Sequence, residues 1–223
     1  MFIKSISGGE RGSSVCVTLS DEQSGGIERL FISQKLWASL GDVAALDPVD
    51  ESLYDRLKTA ADRTSALREA SRLIGSGEKS RRELERRLRS RRIPDEAAGW
   101  AVEVLEKNGY LDEESSCARI AESAVSSKHY GRRRVLEYLI THGYDKATAQ
   151  AAVEAIPDDD IRAALRYNIE HKFPDIAEYD LKDKQKAVSA LARLGFTGSE
   201  IADAIRERGE IRGFFEKKSG KKL

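Results

Sequence analysis

Hydrophobic positions along the chain change their period once, near residue 33. Before it, short runs alternate or are rich in β-branched residues: Phe2-Ile3-Lys4-Ser5-Ile6, Ser14-Val15-Cys16-Val17-Thr18-Leu19 and Ile27-Glu28-Arg29-Leu30-Phe31-Ile32. Gly8-Gly9 and Gly25-Gly26 separate them, so the pattern predicts a small β meander. A short helix over 33–40 follows, with Ser33 as N-cap and Trp37 within it. The acidic stretch 47–62 opens on Asp-Pro and turns helical, bridging to the remainder.

Beyond it the apolar positions take helical spacing and recur. Segments starting at Ser80, Gly131 and Asp183 align without a gap. Leu84, Val135 and Ala187 correspond, as do Leu88, Leu139 and Leu191, then Ile93, Tyr144 and Phe196. A recurrence at about 50 residues marks stacked supersecondary units, each burying its apolar face on its neighbours. The expected fold is therefore mainly α, three tandem three-helix repeats after a small strand-containing region. Its segments are 1–62 (β-containing region and linker helix), 63–112, 113–157 and 158–212 (repeats one to three), and a basic tail, 213–223, frayed beyond about Phe215.

Local signals place the helices. In repeat one, Leu67, Ala70, Leu73 and Ile74 share a helix ended by Gly75-Ser76-Gly77. Ser80 with Glu83 has capping-box spacing, and Pro94 suits the start of a third helix ending near Asn108. Repeat two has helices near 113–127, 131–142 and 146–156. Repeat three has them near 159–171, 180–194 and 198–208, with Gly195 as C-cap and Thr197–Glu200 as a second capping box.

Lys+Arg and Asp+Glu are both 38 in 223 residues, so any attraction to nucleic acid must come from a local patch. Cys16 and Cys117 form no CxxC, which suggests neither a zinc site nor a disulfide framework. The N-terminal residues lack the apolar core of a signal peptide, and no run approaches the ~20 apolar residues of a membrane span. A cytoplasmic monomer with reduced thiols, no cofactor and no membrane partner is expected.

Ser80-Arg81-Arg82-Glu83-Leu84 and Gly109-Tyr110-Leu111-Asp112 with Glu113 resemble the RecX family of regulatory proteins. So do Gly131-Arg132-Arg133-Arg134 with Leu139 and Gly143, and Gly195-Phe196-Thr197 followed by Ile201. The match covers roughly 67–208. It departs at Ser115-Ser116-Cys117, where the family usually places an aromatic residue. The resemblance implies tandem three-helix repeats forming an elongated, curved array. It also implies a non-enzymatic regulator that binds RecA–DNA filaments along their groove and modulates, most often inhibits, recombinase and ATPase activity in repair, recombination and the SOS response.

The chemistry falls on cations. With Leu84 and Leu88 facing the core, Lys79, Arg82, Arg86 and Arg89 lie on the opposite face. Arg132, Arg133 and Arg134 crowd the first turn of the corresponding helix, where cations oppose the helix dipole. These seven are the candidate partner- or DNA-binding residues. Arginine's planar fork suits phosphate or carboxylate, whereas a solvated face with i,i+4 pairs such as Glu85–Arg89 is the plainer explanation. Direct binding of single- or double-stranded DNA through the Arg-rich helices, or a scaffold for another protein, stay open as alternatives. His129, His142 and His171 lack metal spacing. The acidic first turns at Asp112 and Asp158-Asp159-Asp160 answer to the dipole. Tyr110, Tyr144 and Phe196 are expected as apolar plugs. No nucleophile, base and oxyanion set argues for catalysis.

Overall fold

Alternation along the N-terminal strands buries one face of a small sheet. β1 (Phe2–Gly8), β2 (Ser14–Ser20) and β3 (Ile27–Ser33) form an antiparallel meander in that order, with Ile3 opposite Leu19 and Val17 opposite Leu30. Ile3, Val17, Leu19, Leu30 and Ile32 are buried, while Phe31 and Ile27 look outward. The computed structural model describes residues 1–8, 13–21 and 25–219, with side chains given as far as residue 209. Ten helices follow the strands among these residues, so the chain is mainly α. It divides into two units, Met1–Asp112 and Glu113–Leu223.

In the first unit, α1 (Gln34–Ala38) is capped by the Ser33 hydroxyl, which accepts from the Leu36 amide at 3.4 Å. α2 (Glu51–Ile74) is one unbroken 24-residue helix, so the stretch expected to bridge and the first helix expected after residue 63 are a single element. Nothing in 59–66, TAADRTSA, breaks a helix, and continuous i→i+4 bonding costs less than an extra pair of termini. Its first half turns Leu57, Ala60 and Ala61 onto the sheet. Its second half turns Ala66, Ala70 and Leu73 onto α3 (Arg81–Ser90) and α4 (Asp95–Lys107). Between the halves the Thr64 hydroxyl donates to Ala60 O and accepts the Ser33 amide, closing the end of β3 onto α2.

The second unit holds α5 (Glu113–Lys128), α6 (Arg132–Thr141), α7 (Lys146–Glu154), α8 (Asp158–Lys172), α9 (Leu181–Arg193) and α10 (Gly198–Ser219) around one core. Tyr144 and Phe196 are fully buried there, and the Tyr144 hydroxyl lies 2.8 Å from that of buried Ser116. Tyr110 differs from its expectation as a plug. It is 70% exposed, and Leu111 beside it enters the core instead. Thr197 and Glu200 complete a reciprocal capping box. α10 passes the end expected near 208 and reaches Ser219. The side chains of the expected basic tail lie outside the described residues.

At the join of α9 with α6, two backbones touch. The Leu194 and Gly195 carbonyls accept from the Gly131 and Arg133 amides at 2.8 and 3.3 Å. A Cβ on Gly131 would sit 2.5 Å from the Gly195 carbonyl, and one on Gly195 would sit 2.3 Å from the Arg134 nitrogen. Gly195 also has φ +96°, which L side chains rarely adopt. We expect Gly131→Ala to destabilise the protein by about 1–3 kcal/mol through overpacking. Gly198→Ala, in open space at the start of α10, should be neutral or mildly stabilising. Paired urea titrations followed by circular dichroism check this, and equal midpoints for the two variants would refute the contact.

Candidate functional site

The Arg-rich face of α3 is built on an amphipathic helix whose leucines leave little choice of orientation. Ser80 caps it by accepting the Glu83 amide at 3.1 Å, and Leu84 and Leu88 are fully buried. Arg82 and Arg86 then occupy successive turns of the exposed side, with Arg89 one turn beyond. Most of the remaining arginines are neutralised locally. Arg81 reaches Glu106 at 2.7 Å and Glu85 at 3.2 Å, Arg87 meets Glu83 at 2.7 Å, and Arg91 pairs with Glu69 of α2. Arg89 is held by Asp95 at 2.7 Å and by Glu85 at 3.5 Å. The side chains of Arg82 and Arg86 have no hydrogen-bond or ion-pair partner among the described residues.

Lys79 does not share their face. It precedes α3, is 6% exposed, and donates to Ser76 Oγ at 3.2 Å and Gly77 O at 2.9 Å. Burial, with Arg87 nearby, pulls its ammonium below lysine's ordinary pKa. The face drawn from helical periodicity fails there because residue 79 is not yet helical. Lys79 ties the α2–α3 turn together instead.

A cation that periodicity did not single out is Arg92. It is exposed, has no side-chain partner among the described residues, and holds φ +63°. Gly143 and Gly195 stand at the matching positions with φ +90° and +96°. The aligned segments thus contained the signal: an arginine where its counterparts are glycines.

On α6 the three arginines separate. Arg132 reaches away from solvent, donating to Ile156 O at 2.6 Å and to Asp158 at 2.8 Å, and so fastens the α7–α8 turn. Arg134 pairs with Glu137 at 3.1 Å and lies 5.7 Å from the centre of the Tyr130 ring. Arg133 alone has an exposed side chain with no partner among the described residues. It borders an open hollow with Arg134, Arg193 and Gly195. Arg133 and Arg134 border the C-terminal end of α9, whose carbonyls supply a negative pole beside α6's first turn.

Elsewhere chemistry is sparse. The groove between α8 and α10 is lined by cations and carboxylates that pair among themselves, Arg166 with Glu207 and Arg206 with Asp203. Burial, aided by Glu113 and Asp145, pushes the Cys117 thiol up to about 11, so it is unreactive at neutral pH. No group of three His, Cys, Asp or Glu side chains among the described residues could hold a metal ion. No helix among them is long and apolar enough to cross a membrane.

The division on α6 is testable by stability alone. Arg132→Ala should cost about 1–3 kcal/mol, because a charged hydrogen bond to a part-buried carbonyl is lost. Arg133→Ala should fall within about 0.5 kcal/mol of the parent, as exposed substitutions do. Urea midpoints check both, and a larger loss for Arg133→Ala would reverse the assignment.

No family model matches the chain. It is 36% identical over 137 residues to the regulatory protein RecX of Stenotrophomonas maltophilia, covering 60% of this chain and 81% of that protein. It is 36% identical over 134 residues to that of Xanthomonas campestris pv. campestris, covering 82% of it. A crystal structure of a regulatory protein RecX superposes with a TM-score of 0.71 at 14% identity, over 91% of this chain and 98% of that one. The crystal structure of RecX from Lactobacillus salivarius does so with a TM-score of 0.60 at 18% identity, over 66% and 97%. The identities of these two structures speak to the fold, and the sequence relatives carry the kinship: this chain belongs to the RecX family of regulatory proteins.

Proposed function

We propose that this protein is a non-enzymatic regulator that binds RecA–DNA filaments and inhibits the recombinase, with the exposed ridge of α3 as its main contact. The family supports the regulatory role. The observation that carries the contact is the pair Arg82 and Arg86, exposed on successive turns and without a carboxylate, on a helix whose other arginines are mostly paired. A cation already bonded to a carboxylate gains little from a new anionic partner, whereas one facing only water can exchange hydration for a directed fork. Arg133 and Arg92 are read as secondary contacts on the same ground. Arg89 contributes through its exposed edge, Arg134 is held back by Glu137, and Lys79 and Arg132 position the helices that carry the others.

The reading keeps three modules, 63–112, 113–157 and 158–212, behind a β-containing region. Its support is local. The three matched positions Arg92, Gly143 and Gly195 share a left-handed backbone, and Leu88, Leu139 and Leu191 are all fully buried.

The test is RecA ATPase on single-stranded DNA, with RecA from the same organism and this protein titrated in. Inhibition is expected from the parent. Arg82→Glu combined with Arg86→Glu should raise the concentration for half-inhibition by about ten-fold or more, with helical content unchanged. Unaltered inhibition by the double variant would remove α3 as the contact. No effect of the parent on RecA would remove the function itself.

A further inference from the structure

The second unit carries one short pattern twice: Tyr138-Leu-Ile-Thr-His142 at the end of α6 and Tyr167-Asn-Ile-Glu-His171 at the end of α8. The two copies share a hydrogen bond and a ring separation. His142 Nδ1 lies 2.7 Å from the Tyr138 carbonyl oxygen, and its ring centre is 4.0 Å from that of Tyr138. His171 Nδ1 lies 2.9 Å from the Tyr167 carbonyl oxygen, and its ring centre is 3.9 Å from that of Tyr167. A carbonyl only accepts, so each Nδ1 carries the hydrogen. The His171 ring is thereby stacked on Tyr167 at 24°, whereas the His142 ring is tilted at 41° to Tyr138.

The end of α5 serves both copies with consecutive residues. Lys128 lies over the Tyr138 ring, Nζ 4.1 Å from its centre and 2.9 Å from its hydroxyl. His129 stacks on Tyr167 at 3.6 Å and 28°. The turn that splits them needs φ +53° at His129, and it is built in: buried Asn168 donates to the His129 carbonyl at 2.8 Å. Lys172 in turn donates to Asn168 Oδ1 at 2.7 Å. Burial, with Lys172 and His171 nearby, lowers the pKa of His129 and so favours its neutral ring.

The result is a stacked His129–Tyr167–His171 column on one side of the tip of α5 and a tilted Tyr138–His142 pair on the other, each with its own lysine. Tyr167 remains 41% exposed, and His171 is exposed beside it. Neither Lys128 nor Lys172 has a carboxylate partner among the described residues. Glu137, on the α6 side, is taken up by Arg134. These rings and lysines do not enter the proposed α3 contact.

We propose that this face binds a single strand of nucleic acid, with bases continuing the His129–Tyr167–His171 column and phosphates meeting Lys128 and Lys172. Every base offers a π-face, so stacking on such a column is tolerant of sequence, and lysines without carboxylates complement a phosphate backbone. The site lies in the second unit and needs no RecA, so it stands or falls apart from the α3 reading.

The experiment is fluorescence anisotropy of the full chain, alone, with a labelled oligothymidylate of about 20 nucleotides and an abasic strand of equal length at about 0.15 M salt. The two probes carry the same charge and differ in bases. The parent should bind the thymidylate about ten-fold more tightly than the abasic strand. Tyr167→Leu with His171→Ala should bring that ratio close to one, and Lys128→Gln with Lys172→Gln should weaken both probes while preserving the ratio. Circular dichroism confirms that the helices persist. Equal binding of the two probes by the parent, or no binding of either, would overturn the proposal without reference to any variant. An unchanged ratio in a folded Tyr167→Leu, His171→Ala protein would overturn the placement.

Discussion

The second unit depends on two backbones meeting where no side chain fits. Carbonyl groups at the end of α9 accept from amides at the start of α6, at a separation only Gly131 and Gly195 permit. The contact sets one helix's unsatisfied acceptors against another's unsatisfied donors, so both termini find partners within the fold. It also fixes the roll of α6. From that start Val135 and Leu139 must enter the core, Arg132 must turn to the α7–α8 corner, and Arg133 must face outward. Three cations in a first turn look misplaced on an isolated helix. In the fold, Arg132 meets the α7–α8 corner while Arg133 and Arg134 border the carbonyl end of α9.

Much of this fold could be read from residue order. The three strands, the Ser80 cap and the Thr197–Glu200 box follow from local pattern, because each is decided within about four residues of itself. What escaped was decided at a distance. Lys79 lies outside its expected face because the α2–α3 turn closes over it. Tyr110 is exposed although Tyr144 is buried, since Leu111 takes the core position and Ser116 meets the Tyr144 hydroxyl. α2 runs through a boundary that composition suggested, because a shift from acidic to mixed charge does not interrupt a helix.

The arginines show the same division more sharply. Pairing of Arg87 with Glu83 and of Arg89 with Glu85 is visible in i,i+4 spacing. Pairing of Arg81 with Glu106, Arg89 with Asp95 and Arg91 with Glu69 requires the chain to fold back on itself. Density of positive charge was therefore a poor guide to available charge, and only subtraction of the internal pairs isolates Arg82 and Arg86. The stacked His129–Tyr167–His171 column escaped for a related reason. The spacing of the histidines from tyrosine carries meaning only once the helix ends bring the tip of α5 between them.

One feature of the first unit bears on how the arginine helix is aimed. α2 spans roughly 36 Å at the usual rise per residue. Its two halves are clamped in different cores, one against the sheet and one against α3 and α4. Mechanically it is a shaft without a joint. The sheet and the seat of α3 are thus built on one continuous helix.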